Sequence, residues 1–172
     1  MFGLFSTKPK AINHDDLTFK QVFDDYYDYV LRLALNLSGN LADAEDITQE
    51  VFIGVNNGLT RFQGKSQLKT WIYRITIRIA CRYLSKVKSM DNIDDLKAGA
   101  TGKAQQPNRA ETDVLAIMRK LPLEQRTLIS LSAIKGLSHQ QIASILNLPA
   151  GTIGSRLHTA RKNLSQLISQ HT

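Results

Sequence analysis

The chain has 172 residues, a hydrophobic fraction of 42% and a formal net charge of +7, values that fit one ordinary globular domain or two small ones. No apolar run approaches the roughly 20 residues that span a bilayer, and the N-terminal apolar stretch is too short for a signal peptide, so we expect a cytoplasmic protein without membrane insertion. The single cysteine, Cys81, excludes an intramolecular disulfide and a cysteine-cluster zinc site.

The charge is unevenly distributed along the chain. Residues 1–60 carry four Lys and Arg against nine Asp and Glu, whereas residues 61–90 carry eight basic residues and no acidic one. Residues 91–113 are mildly acidic, and residues 114–172 carry seven basic residues against one acidic. Two basic blocks predict two contacts with one polyanion, and the acidic first block predicts a basic protein partner.

Two helices are predicted after a loose tail at residues 1–14. In the first, apolar residues recur at helical steps from Asp15 or Asp16 to Ser38, and its aromatic residues are interpreted as core packing. The second covers about residues 42–58 and carries a polar set beside its apolar stripe, namely Asp46, Gln49 and Glu50. From the pattern alone, a solvated acidic face is the simpler interpretation of this set. A metal site is disfavoured, because no His or distant carboxylate completes a coordination shell.

A polar loop at residues 61–66 precedes a third helix, predicted over about residues 67–87. Basic residues recur every four positions along it, at Arg74, Arg78, Arg82 and Lys86. Such a ridge can follow a phosphate backbone. The alternative is a cationic surface that binds no ligand. Residues 61–90 contain no acidic residue, which weakens this alternative, because surfaces kept only for solubility mix charges of both signs.

Residues 89–112 lack periodicity and are rich in Gly, Ala, Gln, Asn and Pro, which predicts a flexible linker. Helical patterns resume at Asp113. We therefore predict an all-α fold of two small helical domains, residues 15–88 and residues 113–172, the second ending in a helix-turn-helix.

The helix-turn-helix is predicted at residues 136–164. Ser138 and Gln141 form a capping-box pattern for a helix that ends near Leu146, and Pro149 suits the first turn of the next helix. The second helix has an apolar face made of Ile153, Leu157, Ala160, Leu164 and Leu167. Its other face is polar or cationic and consists of Thr152, Ser155, Arg156, His158, Thr159, Arg161, Lys162 and Asn163. This composition is expected of a helix that enters a major groove, although ordinary surface helices share it.

Catalytic signatures are absent from the sequence. No glycine-rich nucleotide loop and no Ser/His/Asp or Cys/His set is evident, and the four histidines are scattered. We expect no enzymatic activity, no cofactor and no metal.

The chain closely resembles the extracytoplasmic-function group of bacterial sigma factors in three runs, LADAEDITQEVFIGV, RFQGKSQLKTWIYRI and LPLEQRTLISLSAIKGLSHQQIASILNLPAGTIGSRLHTARKNL. The likeness covers about residues 17–88 and 113–168, and two long motifs occur in the order and spacing of the family. It implies a transcription initiation factor, typical of stress responses, that binds core RNA polymerase and directs it to promoters. The acidic helix would dock on a basic coiled coil of the polymerase through Asp46, Gln49 and Glu50.

By the same resemblance, the first domain would open and read the minus-ten promoter element as a melted single strand. The residues so implied are Phe62, Gly64, Lys65, Ser66, Thr70, Trp71 and Arg74. We add Arg61 at the start of the loop and Arg78 and Arg82 of the basic ridge to the residues expected to contact this element. Trp71 is equally compatible with plain core packing. Arg78 and Arg82 stand where relatives often have Asn and an acidic residue, which changes the expected base preference.

The second domain would read the minus-thirty-five element as duplex. The residues implied are Thr152, Gly154, Ser155, Arg156, His158, Thr159, Arg161 and Lys162. Gly154 and Thr159 replace basic residues that are usual in relatives, and each guanine contact so lost is worth about 1–3 kcal/mol of discrimination.

The resemblance also implies an anti-sigma partner, which in this group is often membrane-bound. Two other classes of function remain open at this point. A helix-turn-helix regulator without polymerase affinity would use the second domain alone, and a metal-dependent enzyme would use Asp43, Asp46 and Glu50.

Overall fold

The computed structural model describes the backbone of residues 18–94, 109–134 and 136–170, and the side chains of residues 18–87, 114–134 and 136–170. Within these ranges the regular secondary structure is entirely α-helical, which confirms the all-α prediction. The helices are α1 (Phe19–Ser38), α2 (Leu41–Leu59), α3 (Leu68–Asp94), α4 (Arg109–Lys120), α5 (Leu123–Ala133), α6 (His139–Leu146) and α7 (Ala150–Ser169). Among the helices described, none has the length and apolar composition needed to cross a membrane. The predicted tail at residues 1–14 lies outside the described residues.

Local capping sets both ends of α1. The Thr18 hydroxyl accepts a hydrogen bond from the Gln21 backbone N–H, and the Gln21 side chain accepts one from the Thr18 N–H. This capping box starts the helix at Phe19, three residues or more after the predicted start. Gly39 ends it with a φ of +80°, and its N–H donates to the Leu35 carbonyl at 2.7 Å. Glycine suits this left-handed conformation because it has no Cβ.

The first domain is built by α1, α2 and α3. The aromatic residues of α1 pack around Phe52 of α2, with the Phe23 and Phe52 ring centroids 4.7 Å apart. Val22, Val30, Ile47, Val51 and Ile72 are fully buried between the helices. This arrangement agrees with the interpretation of the aromatic residues as core.

The third helix is longer than the sequence pattern indicates. It continues to Asp94 instead of ending near Val87, and α4 begins at Arg109. Helical backbone therefore enters both ends of the stretch interpreted as a linker, residues 89–112. No Gly or Pro occurs between residues 65 and 98, so no helix-breaking residue stops α3 where its apolar periodicity fades.

The helix-turn-helix forms as the sequence predicts. Ser138 and Gln141 make the capping box that starts α6, and Asn147 ends α6 in a left-handed conformation with a φ of 54°. Pro149 occupies the N-cap position, one residue before α7 begins. Ile153, Leu157 and Ala160 are buried, whereas Leu164 and Leu167 are half-buried because the last turns of α7 extend beyond the core.

The two halves of the chain pack against each other. Helix α1 contacts α4 and α5, and α3 contacts α6. One continuous cluster of buried apolar side chains includes Val30 and Ile72 from the first half and Leu128, Leu131 and Ile142 from the second.

Arg126 is the polar connection at the centre of this packing. Its guanidinium donates to the carbonyl of Leu37 in the last turn of α1 and to the carbonyls of Arg119 and Leu121, at 3.3 Å and 3.2 Å, where α4 ends. Carbonyls at the C-terminal end of a helix lack intrahelical partners and attract a cation. Burial, and then the nearby Arg119, lower the pKa of Arg126, which nevertheless remains a cation at neutral pH.

We predict that Arg126→Met lowers the free energy of unfolding by about 2 kcal/mol, because three carbonyls lose their charged donor. Arg126→Lys should lose less, since its ammonium can reach some of these oxygens. Urea unfolding followed by circular dichroism measures both. Arg32→Met, at an exposed arginine of α1, is the control and should stay within about 0.5 kcal/mol of the wild type. Equal stability of the Arg126 and Arg32 variants would contradict this role.

Candidate nucleic-acid interface

The acidic face of α2 is exposed and is bonded to α3. Asp46, Gln49 and Glu50 all face solvent. The Tyr83 hydroxyl lies 3.0 Å from Asp46 Oδ2 and 3.2 Å from Asp43 Oδ1, so its single hydrogen can be donated to either carboxylate. Burial, followed by these carboxylates, raises the pKa of Tyr83, and the phenol therefore stays protonated and remains a donor at neutral pH.

One member of this face escaped the sequence pattern. Ile53 is 62% exposed, and it lies three and four residues after Glu50 and Gln49, which places it on the same side of α2. Its neighbours Phe52 and Val55 are buried. Its position could have revealed it from the sequence, because Ile53 lies outside the apolar stripe of α2 and a large aliphatic side chain there cannot be buried in the core. An apolar residue within an acidic face is a typical contact for a protein partner.

The loop at residues 61–66 is held by its own turns and by aromatic packing. The Arg61 and Phe62 N–H groups donate to the carbonyls of Gly58 and Leu59 at 3.0 Å and 3.1 Å, and Gly64 adopts a φ of +66°. The Phe62 and Trp71 ring centroids are 5.0 Å apart. Lys65 is exposed and Ser66 half-exposed, so the loop presents polar groups beside an aromatic pair.

Trp71 is half-buried between this loop and the end of α2. A Cβ placed on Gly58 would come within 2.9 Å of the indole Cζ2, so the glycine lets the ring approach the α2 backbone. The ring thus supports the loop and keeps part of its surface accessible. Core packing and nucleic-acid contact, the two interpretations from the sequence, are both compatible with this position.

The basic ridge of α3 is divided among three environments. The Arg74 guanidinium donates to the Ser144 carbonyl at 3.0 Å and to its Oγ at 2.8 Å, across to α6. Arg82 makes an ion pair with Glu50 at 2.7 Å. Arg78 and Lys86 are exposed. The helical spacing is as predicted, but tertiary packing engages two of the four cations with protein groups.

Thr70 also differs in its surroundings from the other residues assigned to the single strand. It lies one turn before Arg74 on the same side of α3 and is only 3% exposed. Its hydroxyl is therefore not on the surface of this arrangement.

A cleft of about 640 Å³ is lined by residues of α3, α5, α7 and the C-terminal end of α6. Its walls are mainly apolar and include Ile77, Leu123 and Leu148, while Arg74, Arg78, Glu124 and Arg156 supply its charged groups. Cys81 lies within it as a free thiol, and burial raises the pKa of that thiol, so the sulfur is protonated at neutral pH.

The polar face of α7 is open to solvent. Thr152 is half-buried, and the other side chains assigned to this face are exposed, namely Ser155, Arg156, His158, Thr159, Arg161 and Lys162. The hydroxyls of Thr152, Ser155 and Thr159 donate to carbonyls one turn earlier, at 2.8 Å, 3.1 Å and 3.1 Å. Arg156 is paired with Glu124 of α5. The face therefore combines hydroxyl groups with accessible cations.

No group of three His, Cys, Asp or Glu side chains is arranged to hold a metal ion in the described part of the chain. Asp43 and Asp46 share the Tyr83 hydroxyl, while Glu50 is directed to Arg82.

Two family models match the chain. The model of sigma-70 region 2 matches residues 22–89, and the model of sigma-70 region 4 matches residues 111–164. The chain is 32% identical over 165 residues to the ECF RNA polymerase sigma factor SigW of Bacillus subtilis, covering 87% of this chain and 88% of the relative. It is 31% identical over 166 residues to the ECF RNA polymerase sigma factor SigE of Mycolicibacterium smegmatis, covering 90% of this chain but only 63% of that longer relative.

Solved structures share the fold. The sigma factor RpoE of Bartonella quintana, crystallised with the anti-sigma factor NepR, aligns with a TM-score of 0.69 and 25% identity over 88% of this chain and 96% of that chain. CnrH, solved with the cytosolic domain of CnrY, aligns with a TM-score of 0.70 and 21% identity over 90% of this chain and 89% of that chain.

The glycine in the polar face of α7 is not required by the fold. A Cβ on Gly154 would meet no atom within 4 Å. We predict that Gly154→Ala raises the free energy of unfolding by about 1 kcal/mol, because alanine loses less backbone entropy in a helix. Gly136→Ala is the matched control and should destabilise the protein, because Gly136 has a φ of +83°. Thermal unfolding measures both variants, and the same direction of change in the two would contradict the assignment.

Proposed function

The chain belongs to the extracytoplasmic-function group of RNA polymerase sigma factors, and we propose that it binds core RNA polymerase and directs it to promoters by reading two DNA elements. The observation that carries the proposal is that one chain presents an acidic helix face and two separate cationic surfaces. An acidic face repels a polyanion, which favours a basic protein as its partner. The cationic surfaces lie on α3 with its preceding loop and on α7, one for each element.

Polymerase is bound by the acidic face of α2 through Asp46, Gln49 and Glu50, with Ile53 as the apolar centre of the contact. Exposure of all four side chains supports this assignment. Tyr83 and Arg82 hold two of the carboxylates in place from α3. Charge complementarity to a basic coiled coil would speed association and favour this partner over others.

The minus-ten element is opened and held by the loop at residues 61–66 and by α3. Extruding a base costs a few kcal/mol, which stacking on an aromatic side chain offsets by about 1–3 kcal/mol. The paired rings of Phe62 and Trp71, 5.0 Å apart, supply an aromatic surface beside the polar groups of Lys65 and Ser66. Arg74, Arg78 and Arg82 are the cations proposed for the strand phosphates; in this arrangement Arg78 is exposed, whereas Arg74 and Arg82 are bonded to Ser144 and Glu50.

The minus-thirty-five element is read as duplex by the polar face of α7. Thr152, Ser155 and Arg156 near its start contact bases, with His158 and Thr159 one turn later, and Arg161 and Lys162 bind phosphate. Gly154 and Thr159 supply no long cationic arm, so we propose an element preference that differs from relatives with basic residues there.

The division of labour follows the two halves of the chain. Residues 15–88 bind polymerase and the minus-ten element, residues 113–172 bind the minus-thirty-five element, and residues 89–112 join them. Two weak sites on one chain act together through effective concentration, provided that the connection can span them.

The family is a non-enzymatic class of transcription factor, and we propose that this chain makes and breaks no bond and acts in the cytoplasm, where polymerase meets the chromosome. An anti-sigma factor, which can itself be membrane-bound, is the proposed regulator. The relative from Bartonella quintana was crystallised with such a partner.

A helix-turn-helix regulator without polymerase affinity accounts for α7 but leaves the exposed face of α2 and the loop at residues 61–66 without a role.

Run-off transcription with purified core polymerase tests the proposal. The wild-type protein should yield promoter-specific transcripts from genomic fragments. If no fragment yields one, the proposed function is wrong.

The acidic face is tested by Asp46→Asn combined with Glu50→Gln. We expect at least about tenfold weaker binding to core polymerase, because two charge-assisted contacts are lost while side-chain size is kept. Binding to promoter duplex should change less than about twofold. The control removes the same charge from α1, by Asp25→Asn with Asp28→Asn, both at exposed positions, and should retain polymerase binding. Equal loss of polymerase and duplex binding would contradict the division of labour.

A further inference from the structure

Residues 114–172 contain a single acidic residue, Glu124, and it is bonded to the helix proposed to read duplex DNA. The Arg156 guanidinium, in the second turn of α7, donates to Oε1 of Glu124 in the first turn of α5. The side chains of Arg156 and Glu124 are 44% and 59% exposed, so solvent and ligands reach both groups. The one negative charge in residues 114–172 therefore lies at the edge of the proposed DNA surface.

This ion pair borders a polar recess of about 360 Å³ between α5 and α7. The residues that line the recess are Glu124, Gln125, Leu128, Ser155, Arg156 and Thr159. Thr159 contributes a short side chain where a basic residue is usual in relatives. Among the described residues, Arg156 is thus the only cation that lines this recess.

The packing of α5 fixes the place of the carboxylate. Leu128, one turn after Glu124, is 1% exposed and lies in the core. The Asn163 side chain donates to the Gln125 side chain at 2.9 Å, which adds a second polar bond between α5 and α7. Glu124 is therefore a short anchor for the longer side chain of Arg156, which has many rotamers when unrestrained.

Neither DNA affinity nor stability accounts for a carboxylate at this place. A negative charge beside a phosphate backbone weakens duplex binding, and an ion pair between partly exposed side chains contributes little to the free energy of unfolding. The effect on Arg156 is larger, because the pair offsets its attraction to phosphate and restricts its orientation. The remaining guanidinium N–H groups can still donate to the acceptors of a guanine.

We propose that Glu124 is a positioning residue for Arg156 and sets the sequence specificity of α7: it withdraws the guanidinium from phosphates and presents it to base edges. This inference rests on the proposed reading of the minus-thirty-five element by α7. The choice of sequence then depends on a residue of α5 as well as on the polar face of α7.

The restraint on Arg156 is tested by the salt dependence of duplex binding. Glu124→Gln removes the charge and keeps the size of the side chain, so the released guanidinium gains a phosphate contact. Binding of the full chain to a labelled duplex without promoter sequence should strengthen about three- to tenfold at about 0.1 M salt, and the plot of log affinity against log salt should steepen by about 0.9. Glu124→Asp keeps the charge and should retain the wild-type slope. Fluorescence anisotropy measures these affinities.

The specificity is tested with the minus-thirty-five duplex of a promoter mapped by run-off transcription. Each G·C pair of the element is replaced in turn by A·T, and the affinity for the original duplex is divided by that for the substituted one. At the pair that Arg156 reads, this ratio should be about tenfold for the wild type and fall to about twofold in Glu124→Gln. The affinity of Glu124→Gln for the original duplex should not fall.

Ser165→Lys, at an exposed position of α7, makes the same change in net charge away from the recess and is the matched control. It should leave the ratio unchanged. In an Arg156→Gln background, Glu124→Gln should not alter the ratio further, because no guanidinium is left to position. A further change there would mean that the carboxylate acts through another cation, such as Arg78 across the cleft, and would overturn the proposal.

An unchanged salt slope in Glu124→Gln would overturn the restraint on Arg156. An unchanged ratio would overturn the positioning role and leave the proposed function standing. Weaker binding to both duplexes together with a melting temperature more than about 3 °C lower would show a structural role and also overturn the proposal. If the slope steepens as expected but the wild type gives no transcript with core polymerase, the proposed function fails and the restraint of Arg156 by Glu124 stands.

Discussion

The packing of the two halves depends on the Arg126 guanidinium, which binds carbonyls at the C-terminal ends of α1 and α4. Helix ends expose carbonyls without intrahelical partners, and burying them is costly unless a donor is present. One planar cation satisfies oxygens from two helices that belong to different halves of the chain. The apolar contacts of Leu128, Leu131 and Ile142 with the core of the first half can then form without leaving those carbonyls unpaired.

Helix α3 connects the two kinds of surface. One side carries Tyr83 and Arg82, which bond to the acidic face of α2, and another carries Arg74, which contacts α6. A single helix thus orients the carboxylates proposed for polymerase and supplies cations proposed for DNA. Glu50 and Arg82 form an exposed ion pair with an N–O distance of 2.7 Å, which places the acidic and basic surfaces next to each other. Because neither charge is buried, the pair avoids a large desolvation cost.

Local signals predicted the start of α6 and the end of α1, whereas the capping box of Thr18 and Gln21 at the start of α1 was not recognised and that start was predicted too early. The capping box of Ser138 and Gln141 and the stop at Gly39 act within one turn, so neighbouring residues suffice to read them. Apolar periodicity did not predict the end of α3 correctly. The helix continues to Asp94 because no Gly or Pro interrupts it. Periodicity also missed Ile53, whose exposure is decided by helices that pack elsewhere. The domain division and the assignment of individual residues to polymerase or DNA stay predictions.

The sequence alone determined the all-α class, the helix-turn-helix and the family, because these depend on residue order, local hydrogen bonding and long motifs. It also showed that acidic and basic residues are segregated along the chain. Only the tertiary structure decided that the two halves pack together, that Thr70 is buried and that Arg74 is bound by Ser144. Those contacts join residues about 70 positions apart, and no local pattern encodes which surfaces will meet, since that depends on the packing of whole helices.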